Sequence, residues 1–147
     1  MIEQSEISND VINISCLIDA DVSRVFEAWA DPGKMSQWMG PGTVTCEAVE
    51  IDLKVGGKFS LSMQTEDGIM TAFGEYQEIE INKKLVFTWQ WEDGTFTNSV
   101  VNLTFTDLKG KTRLQLEHTK LPTPVIMEHH QQGWAGSVDK LADFLES

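Results

Sequence analysis

The sequence predicts one α+β domain, in which a curved antiparallel sheet of about seven strands wraps around a long C-terminal helix. Three patterns predict this fold. Apolar residues alternate with a period of two from Val11 to Ile18, and again through most of residues 43–121. Two short helical segments lie between these two regions. Over residues 125–145 the apolar residues recur at helical spacing, so the chain closes on one amphipathic helix.

The first strand and the two short helices follow from local signals. The stretch from Val11 to Ile18 carries isoleucine or cysteine at every second position, which is typical of a half-buried strand. Asp21 or Ser23 can cap the helix that follows. Pro32 ends this helix and suits the first turn of a second one, which stops at the glycines and proline of residues 40–42.

Six further strands are predicted between residues 43 and 121. Glycine, asparagine or aspartate occurs at every interruption of the alternation, which favours tight antiparallel connections. The predicted strands cover residues 44–53, 58–65, 70–81, 85–91, 99–106 and 112–121. We expect the final helix to lie across the inner face of the sheet, because no other element is long enough to cover it.

The length of the chain limits the number of domains, and its net charge limits the classes of partner. With 147 residues the chain fits a single domain over residues 11–147, preceded by a polar arm at residues 1–10 that we expect to be flexible. The net charge of −12 disfavours nucleic acid and anionic membrane surfaces as partners. The acidic N-terminus is unlike a signal peptide, so we expect a cytoplasmic protein in which Cys16 and Cys46 are reduced.

We predict no metal site and no cofactor. The two cysteines lack metal-binding spacing. His129 and His130 are adjacent on the predicted helix, so their rings point about 100° apart and do not readily share a metal. A solvated position, or one at the mouth of a cavity, is the simpler interpretation of this pair.

Strand alternation directs many large side chains to the inner face of the sheet. The chain has five tryptophans and seven phenylalanines, which are many for one small core. They either fill the core or line a cavity between the sheet and the helix, and the sequence leaves both interpretations open. His118 shares a strand face with Leu114 and Leu116, so it points inward, either to orient a ligand or to be hydrogen-bonded within the core.

Five short motifs follow one another in the order of the predicted elements. They are Phe26-Glu27-Ala28-Trp29 with Asp31-Pro32, Trp38-Met39-Gly40-Pro41, residues 52–59 (DLKVGGKF), Leu85-Val86-Phe87-Thr88-Trp89, and Gly133-Trp134 with Leu141-Ala142 and Leu145. Together they resemble the heat-shock-protein ATPase activator homologue family of the START-like (SRPBCC) superfamily. The resemblance covers nearly the whole chain and implies the helix-grip fold, in which two short helices separate the first strand from the second.

The leading functional prediction is a small-molecule binding protein. Its apolar cavity lies between the sheet and the final helix and takes a hydrophobic or amphipathic ligand, a prediction that rests on the converging aromatic residues and on the family resemblance. The residues predicted to line the cavity are Trp38, Phe59, Phe73, Trp89, Phe105, His118, Met127 and Trp134.

Two alternatives remain. Superfamily relatives include cyclase- and hydrolase-like proteins, so the first alternative is a cavity enzyme in which His118 acts with Glu75 or Tyr76. We favour binding over catalysis because no catalytic pair is visible in the sequence. The second alternative is a module that binds a heat-shock chaperone, as the family name implies. A protein partner and a homodimer are therefore both left open.

Overall fold

The computed structural model describes residues 1–147 and contains eight strands and three helices. In chain order these are β1 (Ile2–Ser8), β2 (Val11–Ile18), α1 (Val22–Ala30), α2 (Pro32–Met35), β3 (Thr45–Ile51), β4 (Lys58–Thr65), β5 (Gly68–Glu80), β6 (Lys84–Trp91), β7 (Ser99–Asp107), β8 (Thr112–Thr119) and α3 (Pro124–Glu146). All strands form one antiparallel sheet in the order β1-β2-β8-β7-β6-β5-β4-β3. The predicted helix-grip architecture is confirmed, with eight strands in place of about seven.

The additional strand is β1, and it corrects the expectation that residues 1–10 form a flexible arm. Asn9-Asp10, with φ of 54° and 61°, turns the chain into an antiparallel hairpin with β2. Ile2 and Ile7 both pack against the core although they lie an odd number of positions apart. A bulge next to Ile2 shifts the side-chain alternation by one residue, so that Ile2 and Ile7 both face the core. The strand therefore carries no regular period-two signal in the sequence.

The helices α1 and α2 cross from β2 to the opposite edge of the sheet, where β3 begins. Asp21 is the N-cap residue of α1, and Pro32 occupies the first turn of α2. The apolar side of α1 is buried, and its Phe26 ring lies edge-on to Phe105 of β7 with 5.3 Å between the ring centroids. These helices thus cover one part of the concave face.

The long helix α3 packs against β1, β2 and α1. Its N-cap is Thr123, whose side chain accepts a hydrogen bond from the Ile126 N–H at 3.2 Å. Trp134, Val138 and Leu141 are buried on the side that faces the sheet. Opposite them the sheet presents the inward-facing side chains that alternation predicts on β2, β4, β6, β7 and β8.

Strand β5 departs from the predicted facing. Its inner residues are Ala72, Gly74 and Tyr76, whereas Phe73 and Glu75 lie on the outer face. A Cβ atom at Gly74 would overlap the carbonyl oxygen of Thr88 on β6, so only glycine permits this close strand approach. The prediction that Phe73 lines an inner cavity is therefore wrong.

Candidate functional site

One part of the concave face is open and forms a pocket of about 340 Å³. It lies between α3, the adjoining ends of β4, β5 and β6, and the loops that follow α2 and β6. The wall is mostly apolar. It consists of Met39, Pro41, Val44, Met63, Thr65, Met70, Trp89, Trp91, Asp93, Thr95, Phe96, Ile126, His129, His130, Gly133, Trp134 and Ser137.

The α3 side of the pocket is one stripe of the helix. Ile126, His130, Trp134 and Ser137 follow at intervals of three or four residues, so they lie on the same helix face. Gly133 borders the pocket beside them, and a Cβ atom added there would meet no other atom within 4 Å. The missing side chain at Gly133 therefore helps to keep the pocket open.

A loop fixed to α3 forms the adjoining rim. The Gly40 N–H donates a hydrogen bond to Ser137 Oγ at 3.2 Å, and Lys140 Nζ donates one to the Val44 carbonyl oxygen at 2.8 Å. A Cβ atom at Gly136 would come within 2.6 Å of Pro41 Cβ, so glycine at this position lets the loop lie close to the helix. The rim is thus held by specific contacts.

Three methionines, Met39, Met63 and Met70, line the pocket where the loop after α2 and strands β4 and β5 form its wall. Met70 is 39% exposed and lies at the mouth, whereas the other two are buried. Methionine side chains are flexible and polarizable, so they adapt to ligands of different shape. This part of the wall can therefore adjust to an occupant more readily than the aromatic part.

His118 is completely buried behind the pocket and is fully hydrogen-bonded. Trp134 Nε1–H donates to its Nδ1 atom at 2.9 Å, and its Nε2 atom lies 2.8 Å from Ser99 Oγ. Because an indole N–H only donates, His118 Nδ1 must accept, and Nε2–H then donates to Ser99. The Ser99 hydroxyl donates in turn to the Trp89 carbonyl oxygen. The network requires a neutral His118 ring.

His130 is neutral for the same reason and lines the pocket itself. Trp91 Nε1–H donates to its Nε2 atom at 2.9 Å, and its Nδ1–H donates to the Ile126 carbonyl oxygen at 2.8 Å. The rings of His118 and His130 are perpendicular, with centroids 5.4 Å apart. Both nitrogens of each histidine are therefore in use, and neither ring offers a free hydrogen-bonding group.

Burial sets the charge of both rings. Burial, together with the nearby charge that His130 would carry, lowers the pKa of His118 to about 3. Burial also lowers the pKa of His130, against the effect of its hydrogen bond to Ile126. At neutral pH the inner wall thus carries no positive charge. Asp93, at the exposed mouth, has a pKa held below its usual value by hydrogen bonds from Thr95, so it stays negative.

The structure brings only some of the predicted cavity residues together. Trp89 and Trp134 line the pocket, and His118 lies directly behind Trp134. Phe59 borders a separate, much smaller void. Trp38, Phe105 and Met127 are buried in the packed core and do not reach the pocket, which corrects their predicted position.

Several pocket residues were missed by the sequence analysis. Met63 and Trp91 could have been found, because they alternate in phase with the inward-facing Phe59 and Trp89. His130 carried a signal as well, since it lies four residues before Trp134 on α3. Phe96 lies in the loop after β6, where no periodic pattern exists to reveal its direction.

The predicted pairing of His118 with Glu75 does not form, whereas the alternative partner, Tyr76, is buried on the inner face of β5. Glu75 lies exposed on the outer face of β5, whereas His118 is buried on the inner face of β8. No group of three or more histidine, cysteine, aspartate or glutamate side chains has the geometry to hold a metal ion. Both cysteines are free and buried, and burial raises the pKa of each thiol, that of Cys46 to about 11. None of the three helices has the length and hydropathy that crossing a bilayer demands.

Solved structures with the same fold cover almost the whole chain. Protein CV1439 from Chromobacterium violaceum superimposes with a TM-score of 0.86 at 22% identity, over 95% of this chain and 99% of that one. Protein Ms6760 from Mycobacterium smegmatis superimposes with a TM-score of 0.84 at 19% identity, over 99% of this chain and 94% of that one. The AHSA1 protein from Silicibacter pomeroyi superimposes with a TM-score of 0.79 at 25% identity, over 92% of this chain and 97% of that one.

A comparison with curated protein sequences finds no match. The family model described as "Activator of Hsp90 ATPase homolog 1-like protein" matches residues 19–146, which is most of the chain and includes α1, the sheet from β3 onwards and α3. Together with the helix-grip topology and its similarity to the AHSA1 protein from Silicibacter pomeroyi, this match shows that the chain belongs to the Hsp90 ATPase activator homolog 1-like family of START-like proteins.

Proposed function

We propose that this protein binds an uncharged, hydrophobic small molecule in the pocket between α3 and the sheet. One observation carries the proposal: the pocket has a mostly apolar wall of aromatic and methionine side chains, and His130 in that wall and His118 behind it are neutral and already hydrogen-bonded. The volume of about 340 Å³ is within the range of small-molecule sites. The flexible methionine side supports binding of related ligands that differ in shape.

The charge distribution supports an uncharged ligand. The half-buried amine of Lys140 donates to the Val44 carbonyl oxygen on the rim. A carboxylate or sulfonate in the pocket would lose its hydration and gain no cation, which is costly in an apolar environment. Asp93 at the mouth and the net charge of −12 add repulsion against any anion.

A matched pair of fluorescent dyes tests this proposal. N-phenyl-1-naphthylamine is uncharged, and 8-anilinonaphthalene-1-sulfonate has the same ring system with one sulfonate added. We expect the neutral dye to bind with a stoichiometry of one and at least tenfold more tightly than the sulfonate, as measured by fluorescence titration. Absence of binding by the neutral dye, or equal affinity for the two dyes, would overturn the proposal.

A further inference from the structure

The five tryptophans divide into two groups by their indole N–H groups. Trp38 donates to the Ala28 carbonyl oxygen at 3.1 Å, and Trp91 and Trp134 donate to the two histidines. Trp29 and Trp89 have no acceptor in the protein, although their N–H groups are buried. Their side chains are 1% and 3% exposed. Buried donors without partners are rare in folded proteins, so a pair of them calls for an explanation.

Trp29 and Trp89 both line the same small void. This void has a volume of about 10 Å³, which is room for about one water-sized atom. The other lining residues are apolar except Tyr76, and burial raises the pKa of its hydroxyl group far above the usual value. No carboxylate, amide or histidine side chain lines the void. The polar groups of its wall are thus chiefly hydrogen-bond donors.

The void adjoins the pocket. Met39 and Trp89 belong to the walls of both, so these two side chains form the partition between them. Joining the two spaces requires the Met39 side chain, which is flexible by nature, to move aside. A molecule that fills the pocket can then extend one atom into the void.

We propose that the void receives a single acceptor oxygen of the pocket's ligand, held by the indole N–H groups of Trp29 and Trp89. The ligand is then an uncharged apolar molecule with a carbonyl or ether oxygen that projects into the void. A carbonyl oxygen has two lone pairs and accepts both hydrogen bonds, while an anionic oxygen would be buried without a cation. This inference rests on the proposed function, because it assumes that the pocket holds the ligand.

The first test uses the unmodified protein and a ketone of pocket size, hexanophenone. If its oxygen accepts hydrogen bonds from the two indoles, the infrared carbonyl stretch of the bound ketone shifts to lower frequency than in hexane. In a proton–nitrogen NMR spectrum, the indole signals of Trp29 and Trp89 then move, while that of Trp38, which is bonded to Ala28, stays in place. If a water molecule stays in the void instead, the carbonyl stretch of the bound ketone keeps the frequency it has in hexane. That result would overturn the inference.

The second test compares hexanophenone with hexylbenzene, which has the same shape without the oxygen. Affinities are measured by displacement of N-phenyl-1-naphthylamine from the wild-type protein and from Trp89→Phe and Trp29→Phe variants. We expect each substitution to weaken ketone binding about tenfold more than it weakens hydrocarbon binding. The comparison of two ligands in one variant cancels any general damage to the pocket.

The outcomes separate this inference from the proposed function. If the variants lose equal affinity for the ketone and for the hydrocarbon, the acceptor site is wrong, and the apolar pocket is still supported. Failure of both compounds to displace the dye, or of the dye to bind at all, overturns the proposed function together with the acceptor site.

Discussion

The concave face of the sheet has a filled end and an open end, and both are built from the same kinds of side chain. At the filled end α1 and α2 lie over β7 and β3, and the rings of Phe26, Trp29, Trp38 and Phe105 leave little space. At the open end only α3 and loops face the sheet, and a pocket of about 340 Å³ remains.

The difference between the ends lies in their cover. The filled end is closed by aromatic residues of α1, whereas the α3 side of the open end has glycine at position 133 and polar groups bonded to one another. Aromatic residues alone therefore do not indicate a binding site. The pocket is open for two reasons: α1 and α2 do not extend over this end of the sheet, and α3, which does, has no side chain at Gly133.

Removal of a ring from the filled end should have the largest effect on stability. We expect Phe105→Ala to lower the free energy of unfolding by about 3–5 kcal/mol, because it leaves a cavity under α1 that packed neighbours fill only in part. Urea denaturation measures this loss. Affinity for N-phenyl-1-naphthylamine should change by less than about twofold. A folded variant with strongly reduced dye binding would show that Phe105 shapes the pocket.

The neutral His118 makes stability depend on pH. Its pKa is about 3 in the folded protein and about 6.5 when unfolded, so between these values only the unfolded chain takes up the proton. Stability should therefore be fully present above pH 6.5 and fall by roughly 1.4 kcal/mol per pH unit as the pH decreases through this window.

The histidines can be separated by substitution. His118→Gln should reduce this pH dependence of the unfolding free energy between pH 6.5 and 4.5, and we expect the slope that remains to include His130, whose pKa burial also lowers. The same slope in His118→Gln as in the wild type would assign the pH dependence to other groups.

Substitution of a methionine at the open end should reduce ligand affinity more than stability, the opposite of what we expect for Phe105→Ala. We expect Met70→Ala to cost less than about 1 kcal/mol of stability, since the side chain is 39% exposed. Affinity for the neutral dye should fall by about fivefold, which corresponds to losing roughly 40 Å² of apolar contact with the ligand. Ile81→Ala is the matched control, because Ile81 is 68% exposed and lies outside the pocket wall. Equal dye affinity in both variants would contradict the placement of Met70 at the mouth.

The smallest effect is expected at Gly133. Gly133→Ala should raise the free energy of unfolding by about 0.5–1 kcal/mol, because alanine favours the helix and its Cβ meets no atom within 4 Å. Thermal or urea unfolding measures this gain. Destabilisation would mean that the space beside Gly133 is closed in solution.

The sequence predicted the architecture well, because regular alternation in β2, β4, β6, β7 and β8 gives both the strands and their inner faces. It failed where a bulge changes the alternation, as in β1, and where small residues face inward, as Ala72 and Gly74 do in β5. An apolar side chain such as Phe73 then marks the wrong face.

The candidate site was predicted only in part. Trp89 and Trp134 reach the pocket, but Trp38, Phe105 and Met127 share their apolar character and are packed elsewhere. Alternation states which face a side chain occupies and does not state what covers that face. The position of α1 over β7 and the hydrogen bonds that tryptophans donate to His118 and His130 arise from tertiary packing, which local sequence patterns do not encode.

A side chain placed at Gly133 tests directly whether this pocket is the ligand site. Fluorescence titration with N-phenyl-1-naphthylamine compares the wild type with Gly133→Ala and Gly133→Phe, and thermal unfolding checks that both variants fold. We expect the alanine variant still to bind the dye, because its pocket stays open, and the phenylalanine variant to lose at least tenfold in affinity, because its ring occupies the pocket. Equal binding by all three folded proteins would contradict the claim that this pocket is the ligand site.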